Sequence, residues 1–169
     1  MNEYFHSNFN PLNLFYMNSF DITNIAEVKL IYLSKVRASD RPKIHCSKDA
    51  YDLLLSTWDK DTIEYTEEFK VLLLNRSNAV LGLLSISKGG ISGTVTDVRI
   101  VLQAAIKSNA SGLIAAHNHP SGNLNPSESD IRITQKIKEA GNVMDIQLLD
   151  HLIITHGEEY YSFADNGIL

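Results

Sequence analysis

Two histidines, His117 and His119, stand one residue apart, and Ser127 and Asp130 follow within the next eleven residues. Imidazole nitrogens and carboxylate oxygens are zinc ligands, and a set of three leaves a fourth position open, as a catalytic site requires. Residues two apart in a strand point to the same face, so a strand ending here would place both imidazoles side by side. The spacing therefore predicts a catalytic zinc site with His117, His119 and Asp130 as ligands.

The same residues also have a purely structural explanation. Ser127 and Asp130 have the spacing of a capping box, which satisfies free N–H groups at a helix start. An aspartate in a first turn is favoured by the helix dipole alone, and paired histidines at a strand end can be surface residues. Pro120 favours the metal site, because it ends the strand directly after the second histidine and the following loop can return Asp130 toward the pair.

Short apolar runs and helical spacing predict the elements that would position this motif. Strands are predicted over 27–36, 67–74, 80–87, 112–119, 146–155 and 160–164. Helices are predicted over 47–58 and 97–109, and from Ser127 as N-cap to Gly141 as terminator. Because hairpins interrupt the alternation of strands and helices, we expect an α/β (α+β) fold with one mixed, curved sheet flanked by helices.

Length and composition limit the class of protein. The 169 residues suit one domain, which we place at 41–169, with 1–40 as an N-terminal arm and first strand, packed on the domain or partly disordered. The lone cysteine, Cys46, has no intrachain partner for a disulfide. The net charge of −5 gives no basic footprint for nucleic acid. Without a signal segment or a membrane-length apolar run, we expect a cytoplasmic protein that does not bind membranes.

The complete pattern, His117-x-His119-Pro, six residues, then Ser127-x-x-Asp130, resembles the JAMM motif of the JAB/MPN metallopeptidase-like family. The flanking segments HNHPSG, NPSESDI, GGISGT and LLDHLIIT are similar to its bacterial RadC-type branch. The resemblance runs from about residue 42 to the C-terminus. It implies a cytidine-deaminase-like domain that holds one zinc ion per chain through the three ligands and cleaves a peptide or isopeptide bond of a protein or peptide substrate with metal-activated water.

Such hydrolysis needs a base, usually a carboxylate that is not itself a ligand. The resemblance implies a glutamate on an early strand, for which the candidates here are Glu67 and Glu68. Strand alternation lets only one of them face the site. The pattern at this point in RadC-like chains is Glu-x-Phe, and Glu67-Glu68-Phe69 is similar to it. The resemblance therefore selects Glu67 as the base. The resemblance also gives Ser127 the role of stabilising the developing oxyanion, a task that competes with helix capping.

Other functions stay open beside the hydrolase. One is a non-catalytic zinc-binding module associated with DNA repair or a mobile element, since DNA repair is the family's traditional label. A nuclease is a third, although a two-metal site would need more convergent carboxylates.

Direct DNA binding is not supported by the charge, and we expect the chain to lack the N-terminal helix-hairpin-helix region of full-length RadC-like proteins. A homo-oligomer is left open. Asp150 and His151 are expected to be structural or to support the ligands.

Overall fold

The computed structural model describes residues 31–89, 94–157 and 159–169. The helices are a 3-10 turn at Ala38–Asp40, α1 at Ser47–Leu55, α2 at Val98–Lys107 and α3 at Glu128–Val143. The strands are β1 at Glu68–Leu74, β2 at Val80–Lys88, β3 at Gly112–Asn118, β4 at Gln147–Ile154 and β5 at Tyr160–Ser162. In these ranges, no helix is long and apolar enough to cross a membrane.

The strands form one sheet in the order β2-β1-β3-β4-β5. Only β3 and β4 run parallel, and the remaining neighbours are antiparallel. The mixed sheet flanked by helices is therefore confirmed, and register irregularities in the β1–β2 and β3–β4 ladders bend its strands. The predicted hairpin is also confirmed: Asn78 takes the positive φ of 56° at the turn between β1 and β2.

Alternation along β1 divides the buried side chains between two cores, because neighbouring residues face opposite sides of the sheet. One core lies on the α1 side and includes Ile44, Leu54, Trp58, Leu72, Leu74, Ile114, Leu152 and Ile154. The other lies under α2 and α3 and includes Phe69, Val71, Leu73, Val101, Ala105, Leu113, Ala115, Ile137 and Leu148. His117 continues the second set along β3, so the histidine pair lies on the sheet face that α3 covers.

The strand predicted over 27–36 is wrong for its described part, because residues 31–36 form no strand. Residues 27–30 lie outside the described residues. Ile31, Leu33 and Val36 are 64%, 75% and 50% exposed, so the apolar set that suggested a strand is not buried. Tyr32 instead contacts the domain through its hydroxyl, which donates to the Leu81 carbonyl at 2.5 Å. The alternation of apolar and polar residues favours a strand, but it does not supply the neighbouring strand with which these residues would have to pair.

The predicted end of α3 at Gly141 is also wrong, since the helix continues to Val143. The residue with left-handed backbone is Asp145, with φ 54°. The Ile146 N–H then donates to the Gly141 carbonyl at 2.9 Å, which is the long bond of a Schellman motif. A Cβ at Gly141 would lie 2.4 Å from the Ile146 carbonyl oxygen, so the glycine is needed for the close return of the chain.

The predicted helix over 47–58 is shorter than expected, and α1 ends at Leu55. Its N-cap is Cys46, whose side chain makes no capping hydrogen bond. Trp58 is nevertheless buried, because two tight turns carry it from the helix end into the core. Within α2, Val98, Val101 and Ala105 are buried, whereas Ile106 is 44% exposed.

Candidate metal centre

The three predicted ligands come together where β3 ends and α3 begins. His117 is the penultimate residue of β3, and the His119 N–H still donates to the Ile154 carbonyl of β4 at 2.9 Å. Pro120 follows, and the chain returns so that Asp130 lies in the first turn of α3. Among the described residues, His117, His119 and Asp130 form a group whose candidate ligand atoms lie within 4.8 Å of one another.

The distances within this group suit a small tetrahedral ion. His117 Nε2 lies 3.0 Å from His119 Nε2 and 3.3 Å from Asp130 Oδ1. His119 Nε2 lies 3.5 Å from Asp130 Oδ2. Tetrahedral zinc with bonds near 2.0–2.1 Å separates its ligand atoms by about 3.3 Å. The donor set of two imidazoles and one carboxylate therefore fits zinc in both chemistry and spacing.

His119 is oriented by the loop that follows β3. Its Nδ1–H donates to the Asn123 carbonyl at 2.5 Å, which leaves Nε2 with its lone pair toward the group. Burial alone would lower the pKa of His119, but the hydrogen bonds with Asp130 and Asn123 outweigh it, and the charge of Glu67 adds to their effect. The net shift of the His119 pKa is upward.

Asp130 is held by the helix cap as well as by the histidines. The Ser127 N–H and hydroxyl donate to Asp130 Oδ2 at 2.7 and 2.6 Å, and the Asp130 N–H donates to Ser127 Oγ at 3.2 Å. The capping box that offered a structural explanation is thus present, and it coexists with the ligand group. Burial would raise the pKa of Asp130, but its contacts with the imidazoles of His117 and His119 hold that pKa well below its ordinary value.

A layer of buried polar side chains supports His117 from behind. His117 Nδ1 lies 2.9 Å from His151 Nε2, and His151 Nδ1 lies 2.6 Å from Thr134 Oγ1. Burial, followed by the charge of His117, lowers the pKa of His151 well below its ordinary value. The sequence pattern did not point to Thr134, although its position one helical turn after Asp130 places both on one face of α3.

Asp150 points away from the ligands, to the opposite face of β4. Its Oδ1 accepts from the backbone N–H groups of His151 and Ala164 at 2.7 and 3.0 Å. Its Oδ2 accepts from the Ser162 hydroxyl at 2.7 Å. Asp150 therefore ties β4 to the segment around β5, whereas its neighbour His151 contacts a candidate ligand.

The candidate ligands open onto a cavity of about 470 Å³. Its lining also includes Glu67, Phe69, Thr94, Val95, Thr96, Ser127, Ser129 and Ile133. Thr94 is the last residue of the glycine-rich segment GGISGT, whose residues 90–93 lie outside the described residues. The cavity offers room for a substrate segment beside the ligand group.

The two candidate bases face different environments. Glu67 precedes β1 and lines the cavity, as strand alternation with Phe69 requires. Glu68 points to the other face, where its Oε2 lies 3.4 Å from Lys70 Nζ and its Oε1 accepts a hydrogen bond from the Ser85 hydroxyl. Of the two carboxylates, Glu67 is the one that lines the cavity of the candidate ligands.

Comparisons with known proteins agree with the motif. Residues 44–168 match the family model described as the RadC-like JAB domain. A UPF0758 protein of Flavobacterium johnsoniae is 51% identical over 126 residues, which are 75% of this chain and 53% of that protein. A UPF0758 protein of Porphyromonas gingivalis is 47% identical over 103 residues, 61% of this chain and 45% of that protein.

A third relative, a UPF0758 protein of Salinibacter ruber, is 40% identical over 139 residues, covering 80% of this chain and 57% of that protein. The chain thus spans about half the length of the curated relatives it matches. Since the family match covers β1 to β5, α1 to α3 and the three candidate ligands, this chain belongs to the RadC-like JAB domain family.

Proposed function

We propose that the protein is a zinc-dependent hydrolase that cleaves a peptide or isopeptide bond with water. The observation that carries this proposal is the convergence of His117, His119 and Asp130 with the carboxylate of Glu67 at one cavity. Structural zinc sites are usually closed by four protein ligands, whereas catalytic sites keep one position open. Three candidate ligands beside an open cavity therefore favour a catalytic site over a structural one.

When bound by these residues, a zinc ion would polarise a substrate carbonyl and lower the pKa of water. Glu67 would act as the general base, taking a proton from the attacking water and returning it to the leaving amine. Its location outside the ligand group but on the same cavity supports this role. Glu68 is engaged by Lys70 and Ser85 on the other side of the sheet, which supports Glu67 as the base.

Ser127 would stabilise the negative charge that develops on the substrate oxygen. Its hydroxyl donates to Asp130 Oδ2, so this proton must be redirected before it can serve the substrate. The backbone N–H of Ser127 donates to the same oxygen at 2.7 Å. Because that bond keeps Asp130 in place, the hydroxyl can rotate toward the cavity without releasing the carboxylate. An oxyanion donor of this kind contributes about 10²–10³-fold in rate.

Metal analysis tests the first part of the proposal. Protein purified without chelator should hold about one zinc ion per chain, as a three-ligand catalytic site requires. The His117→Ala/His119→Ala double variant should lose it, whereas His156→Ala, at an exposed histidine outside the group, should retain it. A double variant with the zinc content of the wild type would end the site assignment.

A cleavage assay tests the hydrolase itself. Zinc-loaded protein would be incubated with a mixed peptide library and with isopeptide-linked conjugates, and new termini would be identified by mass spectrometry. We expect cleavage that chelation abolishes and added zinc restores. Stoichiometric zinc without cleavage of any peptide or conjugate would instead favour a non-catalytic metal-binding module.

A further inference from the structure

We infer that His151 is a positioning residue that fixes the tautomer of His117 and so presents the Nε2 lone pair of His117 to the metal. The inference rests on the proposed metal site and adds a determinant of its affinity. It follows from a chain of three hydrogen bonds that begins at the backbone of α3, passes through Thr134 and His151, and ends at His117.

The chain begins with an unambiguous donor. The Thr134 hydroxyl lies 2.6 Å from the Asp130 carbonyl oxygen, and a carbonyl can only accept. A hydroxyl has one proton, so Thr134 Oγ1 has only lone pairs left for its second neighbour, His151 Nδ1, at 2.6 Å. His151 Nδ1 must therefore carry a proton and donate it to Thr134.

The surroundings of His151 determine whether its Nε2 carries a proton. The ring is fully buried, stacked on Phe163 with centroids 4.9 Å apart, and Phe69 lies beside it at 5.4 Å. The two hydrogen-bond partners of the ring are a hydroxyl and an imidazole rather than carboxylates. An imidazolium buried here with no carboxylate hydrogen-bonded to either ring nitrogen would be costly, so the ring is neutral. With its one proton on Nδ1, His151 accepts at Nε2.

His117 then has one possible tautomer. Its Nδ1 lies 2.9 Å from the accepting His151 Nε2, so His117 Nδ1 carries the proton. The lone pair is left on His117 Nε2, the atom that lies nearest to His119 and Asp130. His119 receives the same orientation directly from a backbone carbonyl, that of Asn123. His117 receives its orientation through the side chains of His151 and Thr134. Thr134 lies four residues after Asp130 on α3.

The alternative is that His151 only fills space between the two phenylalanines. The two roles differ in what a substitution removes, because packing depends on shape and tautomer selection depends on donors and acceptors. Thr134→Val keeps nearly the shape of the side chain and removes the hydroxyl, whereas Thr134→Ser keeps the hydroxyl. His151→Leu keeps an apolar side chain and removes the acceptor, whereas His151→Gln returns an acceptor for His117.

The tautomers can be measured directly in the wild-type protein, without any variant. Two-bond ¹⁵N–¹H couplings of ¹⁵N-histidine-labelled, metal-free protein distinguish Nδ1–H from Nε2–H rings. We expect Nδ1–H for both His117 and His151. An Nε2–H tautomer at either ring would overturn the inference.

Zinc and cobalt affinities, measured by competition with a chromophoric chelator, test the consequence. Losing a group that orients a ligand costs about 10–100-fold in metal affinity, so we expect that loss in Thr134→Val and in His151→Leu. Thr134→Ser should stay within about threefold of the wild type, and His151→Gln should recover part of the loss. The cobalt absorption spectrum should change in the weakened variants, which a packing role would not require.

The outcomes separate this inference from the proposed function. Wild-type zinc content in the His117→Ala/His119→Ala double variant would remove the metal site itself. A metal site that needs those two histidines but has unchanged affinity in folded Thr134→Val would overturn only the role of His151. If His151→Leu does not fold, the metal affinities of Thr134→Val and Thr134→Ser and the histidine tautomers of the wild type still test the role of His151.

Discussion

Phe69 of β1 lies directly opposite His117 of β3 in the antiparallel ladder, and their rings stack with centroids 6.0 Å apart. Extended two residues beyond the last paired residues, this register directs Glu67 toward His119, and both residues line the same cavity. The proposed base and a proposed ligand are thus brought together by backbone pairing between segments that are far apart in the sequence. A shift of one residue would have turned Glu68 toward the site instead.

The first prediction concerns this register. Glu67→Gln should keep the zinc content of the wild type, because Glu67 is not in the ligand group, and should lower hydrolysis by about 10²–10⁴-fold, the usual contribution of a general base. Initial rates on a substrate identified by the cleavage assay, together with metal analysis, would measure both effects. Glu68→Gln is the matched control and should retain most of the activity. A larger loss in Glu68→Gln would place the base on the other residue.

The second prediction concerns the close return of the chain after α3. Gly141→Ala should lower the free energy of unfolding by about 1–3 kcal/mol, since the backbone must move to accommodate the new methyl group. Gly82→Ala is the control, because a Cβ there meets nothing within 4 Å. Urea unfolding of both variants would measure the difference. Equal stability of Gly141→Ala and Gly82→Ala would show that the contact with Ile146 is easily relieved.

The third prediction concerns the pH dependence of the metal-free protein. The pKa of Asp130 is lowered on folding, so its contribution to stability is present above its ordinary value of 3.8 and is lost as the pH falls through the folded value. The pKa of His119 is raised, so its contribution is present below 6.5 and is lost as the pH rises through the folded value. The contribution of Asp130 and His119 to the free energy of unfolding should therefore be largest between pH 3.8 and pH 6.5.

Asp130→Asn tests this dependence in the presence of a chelator. Unfolding free energies of the variant and the wild type would be compared across the pH range. The difference between them should be greatest near the middle of the window and should shrink toward both acid and neutral pH. A difference that does not change with pH would show that the ion pair contributes nothing to the stability of the metal-free protein.

Much of the candidate ligand group could be predicted from the sequence, because its members are linked by short-range geometry. His117 and His119 share a face through the two-residue repeat of a strand. Asp130 lies in a first helical turn that Ser127 caps, and both features are local. The hairpin and most of the strands followed for the same reason, since alternation, apolar runs and turn residues act over a few positions.

Local patterns could not decide which segments pair. Residues 31–36 have the alternation of a strand, yet they form none, because a strand needs a hydrogen-bonded neighbour. Gly141 looks like a helix end, but the returning Ile146 carbonyl gives it another role. The choice between Glu67 and Glu68 rested on resemblance until the ladder between β1 and β3 supplied a geometric reason.

The support behind His117 was likewise decided by tertiary structure. Thr134 comes from α3 and His151 from β4, and nothing in their spacing links them to His117. Packing of the helix on the sheet brings all three within hydrogen-bonding distance in a buried layer. The sequence by itself determined the candidate ligands, because local backbone geometry groups them. Only the tertiary structure determined what orients these ligands and which carboxylate faces them, because those contacts depend on the pairing of distant segments.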